Sequence, residues 1–382
     1  MNDSKENLMT NLKIPLAKPW FDGQEAEVAA KIVKSRWLIF GKETEKFEEE
    51  FALACAAKYA VAVNSGSSAL LVAMAALGVS AGDEVIVPDM TFVSTASAAM
   101  FLGAIPVFAD IELKTYCIDP NKIEKLIGPK TKAIVPVHYA GQTAEMDKIL
   151  EIARKHKLFI LEDAAESHLS EYKGKKCGTL GDMGIFSFTP SKPMTTGEGG
   201  MIVTNNEELA KRARLIKNFG DTDKFRWEIL GFNFRMPEVM GAIGRVQLKK
   251  LNQAIKMRRE IATKYTAGLS GLEGIITPFV RDMKDHNFQL YTIRLNPEHL
   301  KVSRDEFIAL LLEKGVSSRL YYPALHDQKV FCAFKQRNNN NFSLTQEFAN
   351  TALSLPIYPE LTDNEINYVV DIITQVVKKN KR

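Results

Sequence analysis

Tyr59-Ala60-Val61-Ala62-Val63-Asn64-Ser65-Gly66-Ser67-Ser68, running into the helical pattern Ala69 to Leu77, reads as a buried strand, a turn of small residues and the start of a helix. Amides in the first turn of a helix have no intrahelical acceptor. With the helix dipole and the nearby hydroxyls they make a cradle for a phosphate group. Outward from this stretch the same grammar repeats. Strand-like runs at Glu84 to Pro88, Pro106 to Asp110, Lys132 to Val137, Phe159 to Asp163, Gly184 to Phe188 and Met201 to Thr204 alternate with helical patterns such as Met146 to Lys157. That alternation predicts an α/β fold with a mainly parallel sheet covered by helices. Ligands of such sheets bind beyond the carboxyl ends of the strands, and Ser65, Asp163 and Ser187 all fall at such ends.

The segment Phe186-Ser187-Phe188-Thr189-Pro190-Ser191-Lys192-Pro193-Met194-Thr195-Thr196-Gly197-Glu198-Gly199-Gly200 lies between two of these strands. A lysine on a turn at a strand end can hold its amine near a carbonyl and form a Schiff base. Read singly, each residue has a plainer account: Lys192 as a solvated loop lysine, Asp163 as a helix N-cap, the serines as turn formers. Together they supply an anion cradle, a carboxylate and an amine. Pyridoxal 5'-phosphate asks for these three parts: a phosphate pocket, an acid that keeps its pyridine nitrogen protonated, and a lysine for its aldehyde.

Through Ser65-Gly66-Ser67, Pro136-Val137-His138-Tyr139-Ala140-Gly141, Glu162-Asp163-Ala164-Ala165-Glu166, Phe186-Ser187-Phe188 with Lys192, Gly197-Glu198-Gly199-Gly200 and Phe232-Asn233-Phe234-Arg235-Met236, the chain resembles the DegT/DnrJ/EryC1/StrS family. These are fold type I pyridoxal phosphate enzymes, the sugar nucleotide aminotransferases, and the resemblance runs from about Ile14 to the C-terminus. It implies a large domain, residues 1–250, with a mainly parallel seven-stranded sheet, and a smaller α+β domain, residues 251–382. Lys192 would carry the cofactor as a Schiff base and move the substrate proton, and Asp163 would pair with the ring nitrogen. Gly66, Ser67 and Ser187 would hold the phosphate, and Phe92 would pack on the ring, although without the family it reads as core. Glu166 is placed beside the cofactor, where the commonest family pattern has glutamine. Asn233 would reach the phosphate in a neighbouring subunit, which implies a homodimer with shared sites. His326, in Tyr321-Tyr322-Pro323-Ala324-Leu325-His326, matches the segment beside the sugar pocket or is a packing histidine. Tyr322 and Trp37 are further substrate-binding candidates.

The resemblance further implies transfer of an amino group from L-glutamate to a nucleotide-linked keto sugar, by way of the pyridoxamine form, in polysaccharide or O-antigen biosynthesis. His138-Tyr139-Ala140-Gly141 and Gly231-Phe232-Asn233-Phe234-Arg235-Met236 look most like enzymes that aminate 4-keto-6-deoxyhexoses, as in perosamine synthesis. Two alternatives stand beside this reading. One is a sugar dehydratase of the same fold, which carries histidine where Lys192 stands; the other is a non-catalytic regulatory protein that binds the cofactor.

Composition sets broad limits. The 382 residues, 46% hydrophobic and 25% charged, suit a globular chain of two domains. A net charge of +4 with interspersed signs does not suggest nucleic-acid binding. Cys55, Cys117, Cys177 and Cys332 are far apart, without zinc spacing, so no metal is expected and a reducing cytoplasm fits. His138 and His168 lack companion ligands, and no GxGxxG or GxxxxGK string suggests NAD or ATP. The N-terminus is polar from Asn2 to Asn7, and no apolar run reaches the ~18 residues of a membrane span. Beyond Asn233 a helical stretch from Pro237 to about Leu269 precedes a strand-like Phe288 to Leu295. Arg337 to Asn341 reads as a polar loop, Thr362 with Glu365 as a helix cap, and Lys378 to Arg382 as a solvated tail.

Overall fold

The computed structural model describes residues 14–223, 225–337 and 341–382. The polar Asn2 to Asn7 stretch and Asn338 to Asn340 of the asparagine loop lie outside them. Strands β1 (Tyr59–Val63), β2 (Glu84–Pro88), β3 (Ile105–Ala109), β4 (Thr131–Ile134) and β5 (Phe159–Asp163) are followed by a short hairpin, β6 (Glu171–Tyr172) and β7 (Lys175–Lys176), and then by β8 (Met183–Ser187) and β9 (Gly200–Thr204). Seven of them form one sheet in the order β1-β9-β8-β5-β4-β2-β3. β9 runs antiparallel to both neighbours, and the pairs from β8 to β3 are parallel. The mainly parallel seven-stranded sheet is therefore present. Its strands read as near-continuous Val, Ile and Ala runs because helices cover both faces.

The crossover helices include Gly66–Ala76, Val93–Phe101, Met146–His156 and Glu207–Lys217. β1 is an edge strand, and its outward backbone groups are met by side chains. Glu48 accepts from the Ala62 amide (2.7 Å), Lys217 donates to the Ala62 carbonyl (3.1 Å) and Arg214 to that of Ala60 (3.2 Å). A Lys217–Glu48 ion pair (2.7 Å) joins the two groups on Ala62. An edge satisfied in this way does not recruit another strand, and it fixes the end of β1 from which the Ser65 turn departs.

The helix Glu238–Leu269 starts against the helix Lys42–Ala54 and ends in a second core built from Tyr265, Tyr291, Ile293, Leu355 and Ile373. Residue 250, the expected end of the large domain, lies within this helix. The second core rests on a three-stranded antiparallel sheet, β10 (Ile275–Ile276), β11 (Tyr291–Leu295) and β12 (Ala352–Leu355). The helices Arg304–Glu313, Ser343–Thr351 and Asp363–Lys379 accompany it, so the C-terminal part is α+β. Thr362 and Glu365 form the expected reciprocal cap. The terminal basic residues are solvent-exposed, as expected, and are also anchored: Lys381 pairs with Glu273, and Arg382 donates to the Leu300 carbonyl (2.9 Å) and to that of His299 from its amide. No helix among the described residues is long and apolar enough to cross a membrane.

Candidate active site

A cavity of about 210 Å³ opens at the carboxyl ends of β1, β5 and β8. Ser65 caps the helix Gly66–Ala76, its Oγ accepting from the Ser68 amide at 3.0 Å. The first-turn amides that follow have no partner within the helix. A Cβ added at Gly66 would stand 2.7 Å from the Ser187 Cβ, so only glycine lets this turn close against β8. Gly200 has the same duty from the other side, since a Cβ there would meet the Ser65 carbonyl at 2.4 Å. Ser67, Ser94 and Ser187 add hydroxyls to the cradle, with Ser67 Oγ and Ser94 Oγ 2.6 Å apart.

Asp163 ends β5 and is buried. Its Oδ2 accepts from Thr95 Oγ1 (2.7 Å) and its Oδ1 from the Ala165 amide (3.2 Å). Thr95 is held in turn by Thr91 Oγ1 at 2.9 Å. Burial raises the carboxyl above its ordinary range, and the Thr95 hydrogen bond opposes this. A buried carboxylate of this kind is suited to a cationic partner. Asp163 is not a helix N-cap, because β5 runs into turns rather than a helix; the Ala165 amide closes a local turn on Oδ1, and the carboxylate borders the cavity.

Lys192 sits on the turn after β8, its amide bonded to the Thr189 carbonyl at 3.0 Å and its side chain 9% exposed. It is not a solvated loop lysine. Nζ meets Glu166 Oε1 at 3.3 Å. That oxygen also accepts from the Tyr322 hydroxyl (2.7 Å), while Glu166 Oε2 takes the Ala140 amide (2.7 Å). Burial and then the Glu166 charge push the Tyr322 phenol well above its ordinary range, so it remains a donor. Phe92 is half exposed at the cavity, its ring 5.7 Å from that of Tyr322, and so is not core. His168 packs against Phe186 and Phe188, and burial with the nearby Lys192 charge pushes it down to about 3, so it is a neutral ring.

The structure thus brings Gly66, Ser67, Phe92, Asp163, Glu166, Ser187, Lys192 and Tyr322 to one cavity. Three candidates lie elsewhere. His326 bonds to Asp89 through both its amide and Nδ1 and stacks on Phe342 with ring centroids 4.7 Å apart. Trp37 is exposed, its indole donating to the Phe40 carbonyl. Asn233 is exposed on a segment bridged to Asn218. Thr91, Thr95 and Ser94 escaped the sequence reading. The one signal was the threonine pair four residues apart around Phe92, whose hydroxyls meet where the chain enters the helix Val93–Phe101.

The residues present fit pyridoxal phosphate: an amide-and-hydroxyl cradle that a side chain at Gly66 would crowd, a buried acid and a buried amine all line one cavity. Comparison with known proteins agrees. Residues 20–374 match the DegT/DnrJ/EryC1/StrS aminotransferase family. The GDP-perosamine synthase of Caulobacter vibrioides is 38% identical, covering 96% of this chain and 98% of that protein. The spore coat polysaccharide biosynthesis protein SpsC of Bacillus subtilis is 37% identical, covering 96% and 97%. The crystal structure of S. venezuelae DesV in complex with a ketimine intermediate superposes with a TM-score of 0.88 at 34% identity, over 95% of this chain and 99% of that one. The motifs, the sheet with its one reversed strand and the site at its edge have a single common source: the chain belongs to the DegT/DnrJ/EryC1/StrS aminotransferase family.

Proposed function

We propose that this aminotransferase uses pyridoxal phosphate to move an amino group from L-glutamate to a nucleotide-linked 4-keto-6-deoxyhexose. The observation that carries the cofactor is the convergence of Lys192, Asp163 and the Gly66 helix start on one cavity. When bound, the cofactor supplies an aldehyde for amines and a ring that withdraws electrons from the attached carbon. Asp163, held by Thr95, would set a negative charge against the ring nitrogen. Gly66, Ser67 and Ser187 would hold the phosphate, and Phe92 would pack on the ring. Lys192 Nζ would bind the aldehyde and, when released, would be the base that moves a proton on the substrate carbon. The presence of Lys192 at the cavity speaks against the dehydratase reading.

The sugar is inferred from the relatives, above all the GDP-perosamine synthase. A second copy of the chain is part of the proposal. Asn233 stands away from the cavity of its own chain, and Trp37, Leu38, Phe225, Trp227, Leu230 and Phe232 are exposed around that region. Packing two copies there would bury apolar surface and bring Asn233 to a neighbour's phosphate. A cytoplasmic setting, with its ready supply of glutamate and nucleotide sugars, is the proposed compartment. The test is optical. Protein loaded with pyridoxal phosphate should be yellow, bleach with L-glutamate and regain colour with a GDP-linked 4-keto-6-deoxyhexose. A protein that turns yellow but does not bleach with L-glutamate would favour the regulatory reading, one that stays colourless in excess cofactor would remove the cofactor reading, and recovery only with other keto sugars would move the acceptor.

A further inference from the structure

Tyr322 was expected beside the substrate, yet its hydroxyl is committed elsewhere: it donates at 2.7 Å to the Glu166 oxygen that faces Lys192. Oε1 of Glu166 therefore has two donors, a neutral phenol and an ammonium, while Oε2 is tied to the Ala140 amide. Lys192 attacks an aldehyde only as the free amine, so its ion pair with Glu166 opposes the reaction. We propose that Tyr322 is a positioning residue which, by sharing Glu166 Oε1, weakens the Lys192–Glu166 ion pair and keeps the Lys192 amine available to the cofactor aldehyde. The inference rests on the pyridoxal phosphate reading above.

The chemistry balances without an added reactant. One ammonium proton passes to Glu166 or to solvent, the C–N bond forms at Nζ, and the aldehyde oxygen leaves as water. The phenol suits the role because burial and the adjacent carboxylate hold its proton in place. Its ring is fixed by Phe92 at 5.7 Å and by Tyr321, whose carbonyl accepts from the buried Tyr139 hydroxyl. The segment that carries Tyr322 thus sets the reactivity of an amine on the strand β8 turn.

The experiment follows capture of pyridoxal phosphate by cofactor-free full-length chain, read as the rate of borohydride-stable incorporation and of yellow colour, in wild type, Tyr322→Phe, Glu166→Gln and the double variant. Phenylalanine keeps the ring contacts, and the melting temperature of each variant shows that it is folded. Tyr322→Phe is expected to slow capture about 10-fold, the scale of one hydrogen bond to a charged group. In the Glu166→Gln background, where no ion pair remains, the same change is expected to alter the rate by less than about 2-fold. Wild-type rates in Tyr322→Phe would overturn the proposal, as would equal slowing in both backgrounds, which would make Tyr322 act without Glu166. Should Tyr322→Phe not fold, Glu166→Gln alone carries the test: with the ion pair removed, capture is expected to be faster than in wild type, and slower capture would overturn the proposal. Failure of wild type to capture the cofactor is a distinct result: it would remove the cofactor reading, and this inference with it.

Discussion

Glu162 and Asp163 are neighbours on β5, yet they do opposite work. Strand alternation sends their side chains to opposite faces. Glu162 is fully buried and saturated: His138 Nε2 (2.8 Å) and the amides of Gly178 (2.8 Å), Leu180 (2.6 Å) and Gly181 (2.7 Å) all approach its two oxygens. The Ala144 amide donates to His138 Nδ1, which leaves the imidazole proton on Nε2, directed at Glu162. This carboxylate pins the loop before β8 and leaves no oxygen for a ligand. Asp163 has two donors and a cavity beside it. A carboxylate whose acceptors are all used holds structure, and one buried with acceptor capacity to spare is available for chemistry.

Substitutions at the pair should separate these roles. Asp163→Ala is expected to lower turnover on the order of 1,000-fold, through a ring nitrogen that loses its proton, with a folded chain by circular dichroism. Near-normal turnover would break the contrast. Glu162→Ala should act on the fold instead, leaving three amides and a histidine unpaired at a cost of about 3–5 kcal/mol, measured by chemical denaturation. If it proved as mild as a surface change, saturation would not distinguish the two acids.

Thr95→Val sharpens the comparison at smaller scale. Removing the stronger of the two donors to Asp163 is expected to slow turnover about 10-fold with little change in the KM for glutamate. The smallest effect concerns pH. Burial raises Asp163, so without cofactor the folded chain binds its proton more tightly than the unfolded chain does. The stability it contributes is therefore present at low pH and is lost as pH rises from the ordinary value of 3.8 through the raised one. Asp163→Asn should flatten that segment of the stability profile, and an unchanged slope would contradict the assigned cause.

The contrast also marks what could be read from the sequence. Phe159 to Asp163 and Glu84 to Pro88 are legible to the residue, because fully buried parallel strands are short apolar runs with sharp ends. The strand expected at Lys132 to Val137 ends at Ile134, as proline at 136 has no amide to give to a ladder. The helix after Ser65 begins at Gly66 rather than Ala69, since capping serines read as turn before they read as helix. The helix Lys42–Ala54 gave little signal because its inward face is carried by few residues, among them Phe47 and Phe51, within a run of charges. In the site, Lys192, Asp163 and Gly66 were visible through ordered motifs. Thr95 and the link from Tyr322 to Glu166 were not, because they depend on which helix face and which loop the fold sets against β5, and nothing local encodes that.

The claim at the centre is that the Lys192 amine takes up pyridoxal phosphate. Borohydride reduction of the loaded protein, followed by peptide mapping in a mass spectrometer, tests it directly. The account expects the added mass on Lys192, and none in Lys192→Ala; a label on another lysine, or retained labelling in that variant, would contradict it.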